Sequence, residues 1–161
     1  MPHRIRPFAD ADLDAVLDLS IRAWEPVFTA VADVLAGSGV FEVMHPDWRA
    51  DQRRAVRAAC TDPDLRTWVA EVDGTVAGFV VARLHAADAM GELHMVAVDP
   101  DVQRRGVGTA LTAFATDWFA EQGMAIALIQ TGQDAGHAPA RRVYERAGYT
   151  ALPSVQYFKK L

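Results

Sequence analysis

The stretch from Gly91 to Gly108 constrains the fold more than any other part of the chain. Leu93 to Val98 is mostly apolar and rich in valine, the composition of a well-buried strand. Asp99-Pro100-Asp101 stops it, because proline fixes φ and lacks a backbone donor. Gln103-Arg104-Arg105-Gly106-Val107-Gly108 follows, and Leu111, Phe114, Ala115, Trp118 and Phe119 then recur at helical spacing. A strand that runs through a glycine loop into a helix belongs to an α/β design. The glycines let backbone N–H groups converge at the positive end of the helix, a geometry that binds phosphate oxygens.

The rest of the chain can be laid out around this unit. The pattern predicts a strand over 3–8 and a helix from Asp10 to about Trp24, with Asp10 as N-cap and Leu13, Val16, Leu17, Ser20, Ile21 and Trp24 on one face. Pro26 breaks that helix or starts another, which runs to about Leu35. Gly37-Ser38-Gly39 is a loop, and a helix from Pro46-Asp47 to Ala59 takes Asp47 as its cap. Asp73-Gly74 between 67–72 and 75–85 is a two-residue hairpin signal. The chain then returns antiparallel into 92–98. A helix over 108–121 and a strand over 124–131 complete a right-handed β-α-β crossover with parallel strands. Pro139 suits the first turn of a last helix, Gly148 its end, and 155–160 a closing strand. The expected fold class is therefore α/β (α+β): a mixed, mostly antiparallel sheet with one parallel pair, flanked by helices, in a single domain over 1–161.

Three kinds of phosphate loop compete for this segment. A P-loop NTPase needs Gly-Lys-Ser/Thr, whereas Gly108 is followed by Thr109 with no lysine. A dinucleotide fingerprint wants glycine directly after the strand and an acid closing the next strand, and neither is present. The pattern Gln/Arg-x-x-Gly-x-Gly/Ala, which cradles the coenzyme A pyrophosphate, is filled by Gln103, Gly106 and Gly108. With Ala140-Arg-Arg-Val-Tyr-Glu-Arg-Ala-Gly-Tyr149 as a late motif and Arg4-Ile-Arg-Pro7 with Asp10-Ala-Asp-Leu13 as an opening, the chain resembles the GNAT superfamily of N-acetyltransferases. One departure is His137, where members often carry asparagine.

The resemblance implies acetyl-CoA as cosubstrate, no metal, and direct attack of an amine on the bound thioester. Val96, Ala97 and Val98 would pair with the pantetheine arm where two strands splay. Gln103, Arg104, Arg105, Gly106, Val107, Gly108 and Thr109 would hold the pyrophosphate, and the Val96 N–H would serve as oxyanion donor. Tyr144 would protonate the leaving thiolate, although Ala140, Val143, Tyr144 and Ala147 also form a core-like 0, 3, 4, 7 stripe. Glu92 is the candidate base, acting through water, since acids on such strands are solvated, paired or used. Simple alternation places Glu92, His94 and Val96 on one face, so His94 competes for the role. The spacing of His85, Glu92 and His94 fits no common metal-ligand pattern.

Arg104-Arg105 and Arg141-Arg142 could meet the ADP phosphates or simply be solvated. Trp24, Phe28, Phe41, Trp48 and Tyr157 could line an acceptor pocket or belong to the core.

Composition narrows the partners. A net charge of −5 argues against a nucleic-acid binder and mildly favours a cationic amine. No apolar run is long enough to span a bilayer, and Met-Pro-His-Arg leads straight into a strand rather than forming a signal peptide. Cys60 stands alone, so a disulfide framework is excluded and a cytoplasmic setting is expected. The favoured acceptor is a small cationic molecule, with a peptide amine as the alternative and a homodimer allowed. A non-catalytic acyl-CoA sensor is the rival of a different class. Glu92 and Tyr144 speak against it, because a sensor has no use for proton-transfer groups.

Overall fold

A computed structural model describes residues 3–161. Five strands, β1 (His3–Pro7), β2 (Leu65–Val72), β3 (Thr75–His85), β4 (Met90–Val98) and β5 (Ile126–Ile129), form one sheet in chain order. Every neighbouring pair is antiparallel except β4 with β5, which is parallel. Helices α1 (Leu13–Val34), α2 (Val40–Met44), α3 (Trp48–Thr61), α4 (Val107–Glu121) and α5 (Ala138–Arg146) flank it. The expected mixed α/β sheet with one parallel pair is the observed one.

The two faces of the sheet bury separate apolar clusters. On one, Val80, Ala82 and Leu93 meet Val107, Leu111, Ala115 and Phe119 of α4. On the other, Val69, Phe79, Val81 and Ala97 meet Val16, Leu17 and Leu19 of α1 and Val56 of α3. Gly91 lets α4 settle closely on the first face, because a Cβ there would lie 2.2 Å from the buried Phe119 ring. The hairpin between β2 and β3 forms as its residues require, with Asp73 at φ 52° and Gly74 at φ 77°.

The helices start and stop for local reasons, and α1 and the strands after α4 differ from expectation. Asp47 does cap α3, accepting the Ala50 N–H at 3.1 Å. At α1, however, a 3₁₀ turn over Asp10–Asp12 precedes the helix, and Asp12 is the anchored acid. It accepts the Ala9 N–H and both ends of the Arg6 guanidinium, each at 2.8 Å. Pro26 does not break α1, which continues to Val34. Proline forfeits one intrahelical bond, but both flanks are packed: Trp24 against Phe79 and Phe28 stacked on Trp48 at 4.5 Å. Residues 155–160 form no strand. The chain after Tyr149 is irregular and exposed, and Leu152, Val155 and Tyr157 face solvent. β5 is shorter than expected, so the sheet edge offers little backbone for a closing strand.

The Arg6–Asp12 pair makes stability depend on acid pH. The Arg6 hydrogen bonds hold the Asp12 carboxyl below its ordinary range despite burial. A depressed folded-state value stabilises above about pH 4 and is lost as pH falls through that value. Asp12→Ala should cost about 2 kcal/mol at neutral pH, below the 3–5 kcal/mol of a fully buried pair because Arg6 is partly exposed. Urea denaturation at pH 7 and pH 3 should show the gap between wild type and variant narrowing in acid.

Candidate active site

The splay between β4 and β5 creates the site. Met90–Leu93 pairs with Ile126–Ile129, and the second half of β4 has no strand on that side. The Asp99 N–H bonds Ala77 C=O at 2.8 Å, toward β3. Alternation then turns the backbone groups of Ala97 toward β3 and those of Val96 and Val98 toward the open gap. Val98 C=O already accepts the Gln103 amide at 3.3 Å, which ties the loop to the strand end.

A β-bulge rearranges the faces of β4. Val81 pairs with Met95 and Ala82 with Leu93, leaving His94 as the extra residue. Strict alternation therefore fails. Leu93, Val96 and Val98 pack toward α4, whereas Met95 and Ala97 pack toward α1. Glu92 and Val96 do not share a face as simple alternation expects, because one inserted residue inverts the pleat beyond it.

The glycine loop enters α4 as its sequence indicates. Gly106 is the N-cap at φ 83° and Arg104 lies at φ 65°. The first intrahelical bond runs from Ala110 N–H to Gly106 C=O, so the N–H groups of Val107, Gly108 and Thr109 have no partner within the helix. Arg104 and Arg105 are exposed beside them. Arg141 is committed elsewhere: it donates to Gly132 C=O at 2.6 Å and Asp134 C=O at 2.8 Å, bracing the loop after β5. Arg142 is exposed.

Gly108→Val separates folding from coenzyme binding. A Cβ at Gly108 meets only Val98 Cγ2 at 3.5 Å, an ordinary contact. The fold should therefore survive, while the branched side chain obstructs the helix N-terminus. Losing one charge-assisted hydrogen bond there weakens binding by about 10- to 100-fold. Calorimetry with acetyl-CoA checks this against an unchanged thermal midpoint.

Glu92 lies between two imidazoles. Its Oε2 is 2.6 Å from His85 Nε2, and its Oε1 is 3.5 Å from His94 Nδ1, too long for a strong hydrogen bond. Burial pushes the Glu92 carboxyl up, but hydrogen bonding from the two histidines outweighs it, so the group lies below its usual range. Tyr144 is buried, and burial with the nearby Tyr149 pushes its phenol up to about 12. Its hydroxyl has no protein hydrogen-bond partner among the described residues, and the oxygen is not sealed from solvent. Tyr144 joins neither apolar cluster. Tyr149, by contrast, bonds Thr116 at 2.7 Å and ties α5 to α4.

His137 is also engaged. Its Nδ1 lies 2.6 Å from Asp134, whose carboxyl is held low by that histidine against the opposing effect of burial. An ionised carboxylate only accepts, so Nδ1 carries the proton and Nε2 is left as an acceptor in the neutral ring. The turn bearing them rests on α1, where a Cβ on Gly136 would lie 2.7 Å from Pro26 C=O.

The aromatic residues divide. Phe28, Phe41 and Trp48 gather around His45 beneath α2, ring on ring, with no slot between the stacked pair. Trp24 belongs with the core and Tyr157 is exposed. Neither His45 nor Asp134 was marked by sequence spacing, since each acquires its partners through packing or a turn. A groove of about 800 Å³ opens where α1 meets the turns after β4 and before α5. Glu25, Asp33 and Asp101 line it against Arg22. Arg22 bridges Asp99 at 2.6 Å and Asp101 at 3.6 Å and Glu25 pairs with Arg49, but three carboxylates against one guanidinium leave the lining residues themselves net acidic. No helix among the described residues is long and apolar enough to cross a membrane.

Comparison with known proteins agrees with this architecture. The sequence pattern of the Acetyltransferase (GNAT) family matches residues 21–149. A mycothiol acetyltransferase of Thermomonospora curvata is 30% identical over 151 residues, covering 90% of this chain and 50% of that protein. The chain thus spans about half the length of the curated relatives it matches. The ribosomal-protein-S18-alanine N-acetyltransferase of Escherichia coli superposes with a TM-score of 0.67 at 20% identity, covering 94% of this chain and 80% of that one. AAC(6')-Iy, solved with the bisubstrate analog CoA-S-monomethyl-acetylneamine, superposes with a TM-score of 0.62 at 18% identity, covering 100% and 99%. At these identities the structural matches establish the fold.

Proposed function

The chain belongs to the Acetyltransferase (GNAT) family, and from that premise we propose that it transfers the acetyl group of acetyl-CoA to a primary amine by direct attack. The observation that carries the reading is the open backbone of Val96 and Val98 beside a glycine-led helix N-terminus. A pantetheine arm would extend along the first while the pyrophosphate meets the second. Glu92 accepts the amine proton through water, the Val96 N–H stabilises the oxyanion, and Tyr144 donates to the departing sulfur. The C–N bond forms on addition to the thioester carbonyl, and the C–S bond breaks as the tetrahedral oxyanion collapses. A cationic amine then yields amide, thiol and one proton released to solvent.

The acceptor we favour is a small cationic molecule. The net acidic groove supports this, because clustered carboxylates raise the local concentration of ammonium groups and disfavour anions. The curated relatives are named mycothiol acetyltransferase, and the structural neighbours include both an aminoglycoside acetyltransferase in complex with sisomicin and a ribosomal-protein N-acetyltransferase. An acetyl-CoA turnover screen across polyamines, aminoglycosides, amino acids and short peptides tests the reading. Thiol release with small cationic amines is expected. Release only with peptides would reverse the preference, and coenzyme binding without turnover on any amine would favour the sensor.

A further inference from the structure

We propose that His85 is a positioning residue for the transfer reaction, clamping one oxygen of Glu92 so that the other stays turned toward the bulge at His94. The inference rests on the reading of Glu92 as the base and deepens it.

The register of the sheet brings these side chains together. Arg83 lies opposite Glu92 and His85 opposite Met90, so His85 and Glu92 are diagonal neighbours on one face. Their 2.6 Å contact has the length of a charge-assisted hydrogen bond. The carboxylate can only accept, which places the proton on His85 Nε2 and fixes the tautomer. A free glutamate side chain samples several rotamers, and a base must be held within reach of its proton. The clamp removes that freedom for Oε2. Oε1 is left at 3.5 Å from His94, the residue the bulge displaces from regular pairing. The His85 side chain is 36% exposed and that of Glu92 16%, so the clamp approaches from the solvent side.

The charged groups on the elements packed against β4 include Asp88 in the turn over Ala86–Asp88 that follows His85. On β3, Arg83 is the cross-strand neighbour, and on β5 the neighbour is the apolar Leu128. On α1, which covers this face, Asp18, Arg22 and Glu25 are paired with Arg53, Asp99 and Arg49. The field at Glu92 is therefore set chiefly by its two histidines. Removing His85 takes away one of the donors that oppose desolvation, so the carboxyl should titrate at higher pH. A base must be ionised to act, so the acid-side break in kcat/KM that Glu92 adds below the one set by the acceptor ammonium should move to higher pH with it.

The test compares His85→Ala and His85→Gln in the full chain, with Glu92→Gln alongside. Carboxyl-¹³C titration of Glu92 in the free protein needs no acceptor and should show a higher midpoint in His85→Ala. With the fastest amine of the panel, kcat should fall about 10-fold, the lower end expected for residues that orient a functional group. The KM for acetyl-CoA and the thermal midpoint should stay unchanged. His85→Gln should recover most of both effects, because its amide N–H can replace the Nε2 donor. An unmoved Glu92 midpoint in His85→Ala overturns the proposal, as does a Gln variant no better than Ala. If Glu92→Gln leaves the rate unchanged, the base assignment itself falls. If Glu92→Gln slows turnover and His85→Ala does not, only the role of His85 falls.

Discussion

Replacing Glu92 with glutamine should lower kcat/KM for the amine by roughly 10²–10⁴-fold while acetyl-CoA affinity stays nearly intact. Glutamine preserves the shape and can still accept the His85 hydrogen bond, but it cannot take a proton. In the proposed arrangement the coenzyme would be unaffected, because the open backbone of the second half of β4 and the start of α4, where it would bind, lie away from Glu92. Glu92 is held below the usual carboxylate range, because its histidine partners outweigh the effect of burial. It is therefore ionised throughout the neutral range and always available. A carboxylate held below its usual range does not retain the proton, so in the proposed reaction Glu92 would pass it on to water. The pH dependence follows in sign. Wild-type kcat/KM should rise with pH as the acceptor ammonium ionises, and the deficit of the variant should shrink where free amine is abundant. Steady-state kinetics between pH 6 and about pH 9.5, which spans the ordinary ionisation of an α-amine and approaches that of an alkyl amine, read both effects. An unchanged rate at neutral pH would move the role to His94 or to water.

Tyr144→Phe should slow acetyl transfer by roughly 10²-fold or more with little change in thermal stability. The ring is buried and its packing is retained in phenylalanine. The hydroxyl makes no protein hydrogen bond among the described residues, so the usual loss of about 1 kcal/mol for a broken bond is not expected. A phenol raised to about 12 by burial keeps its proton at every working pH. It would thus be a loaded donor for the departing sulfur, strengthening its hydrogen bond as negative charge develops there. Single-turnover stopped-flow measurement isolates this step from product release. A folded phenylalanine variant with unslowed transfer would return Tyr144 to a packing role.

The Asp73-Gly74 hairpin, the glycine loop into α4 and the Asp47 cap were legible in the chain because each depends on residues adjacent in sequence. The parallel β4–β5 pair followed from the handedness of the crossover. Pro26 was misread because local propensity was overridden by packing on both sides of it. The expected closing strand over 155–160 was misread because a segment after the last helix pairs only if the sheet offers it an edge, which the sequence of that segment does not supply.

The candidate site divides in the same way. Backbone conformation, turn chemistry and the phosphate loop are short-range properties, so Gln103 to Thr109 are legible in the chain and carry the family resemblance, and it is that resemblance which implies roles for Glu92 and Tyr144. Which groups face one another is a matter of register. The single extra residue at His94 inverts the pleat beyond it, turning Val96 away from the face of Glu92. The same register sets His85 against Glu92, although the turn between their strands carries no two-residue hairpin signature. Side-chain period in a strand is two, so one inserted residue changes every partner after it. Only the folded sheet decides where that residue goes.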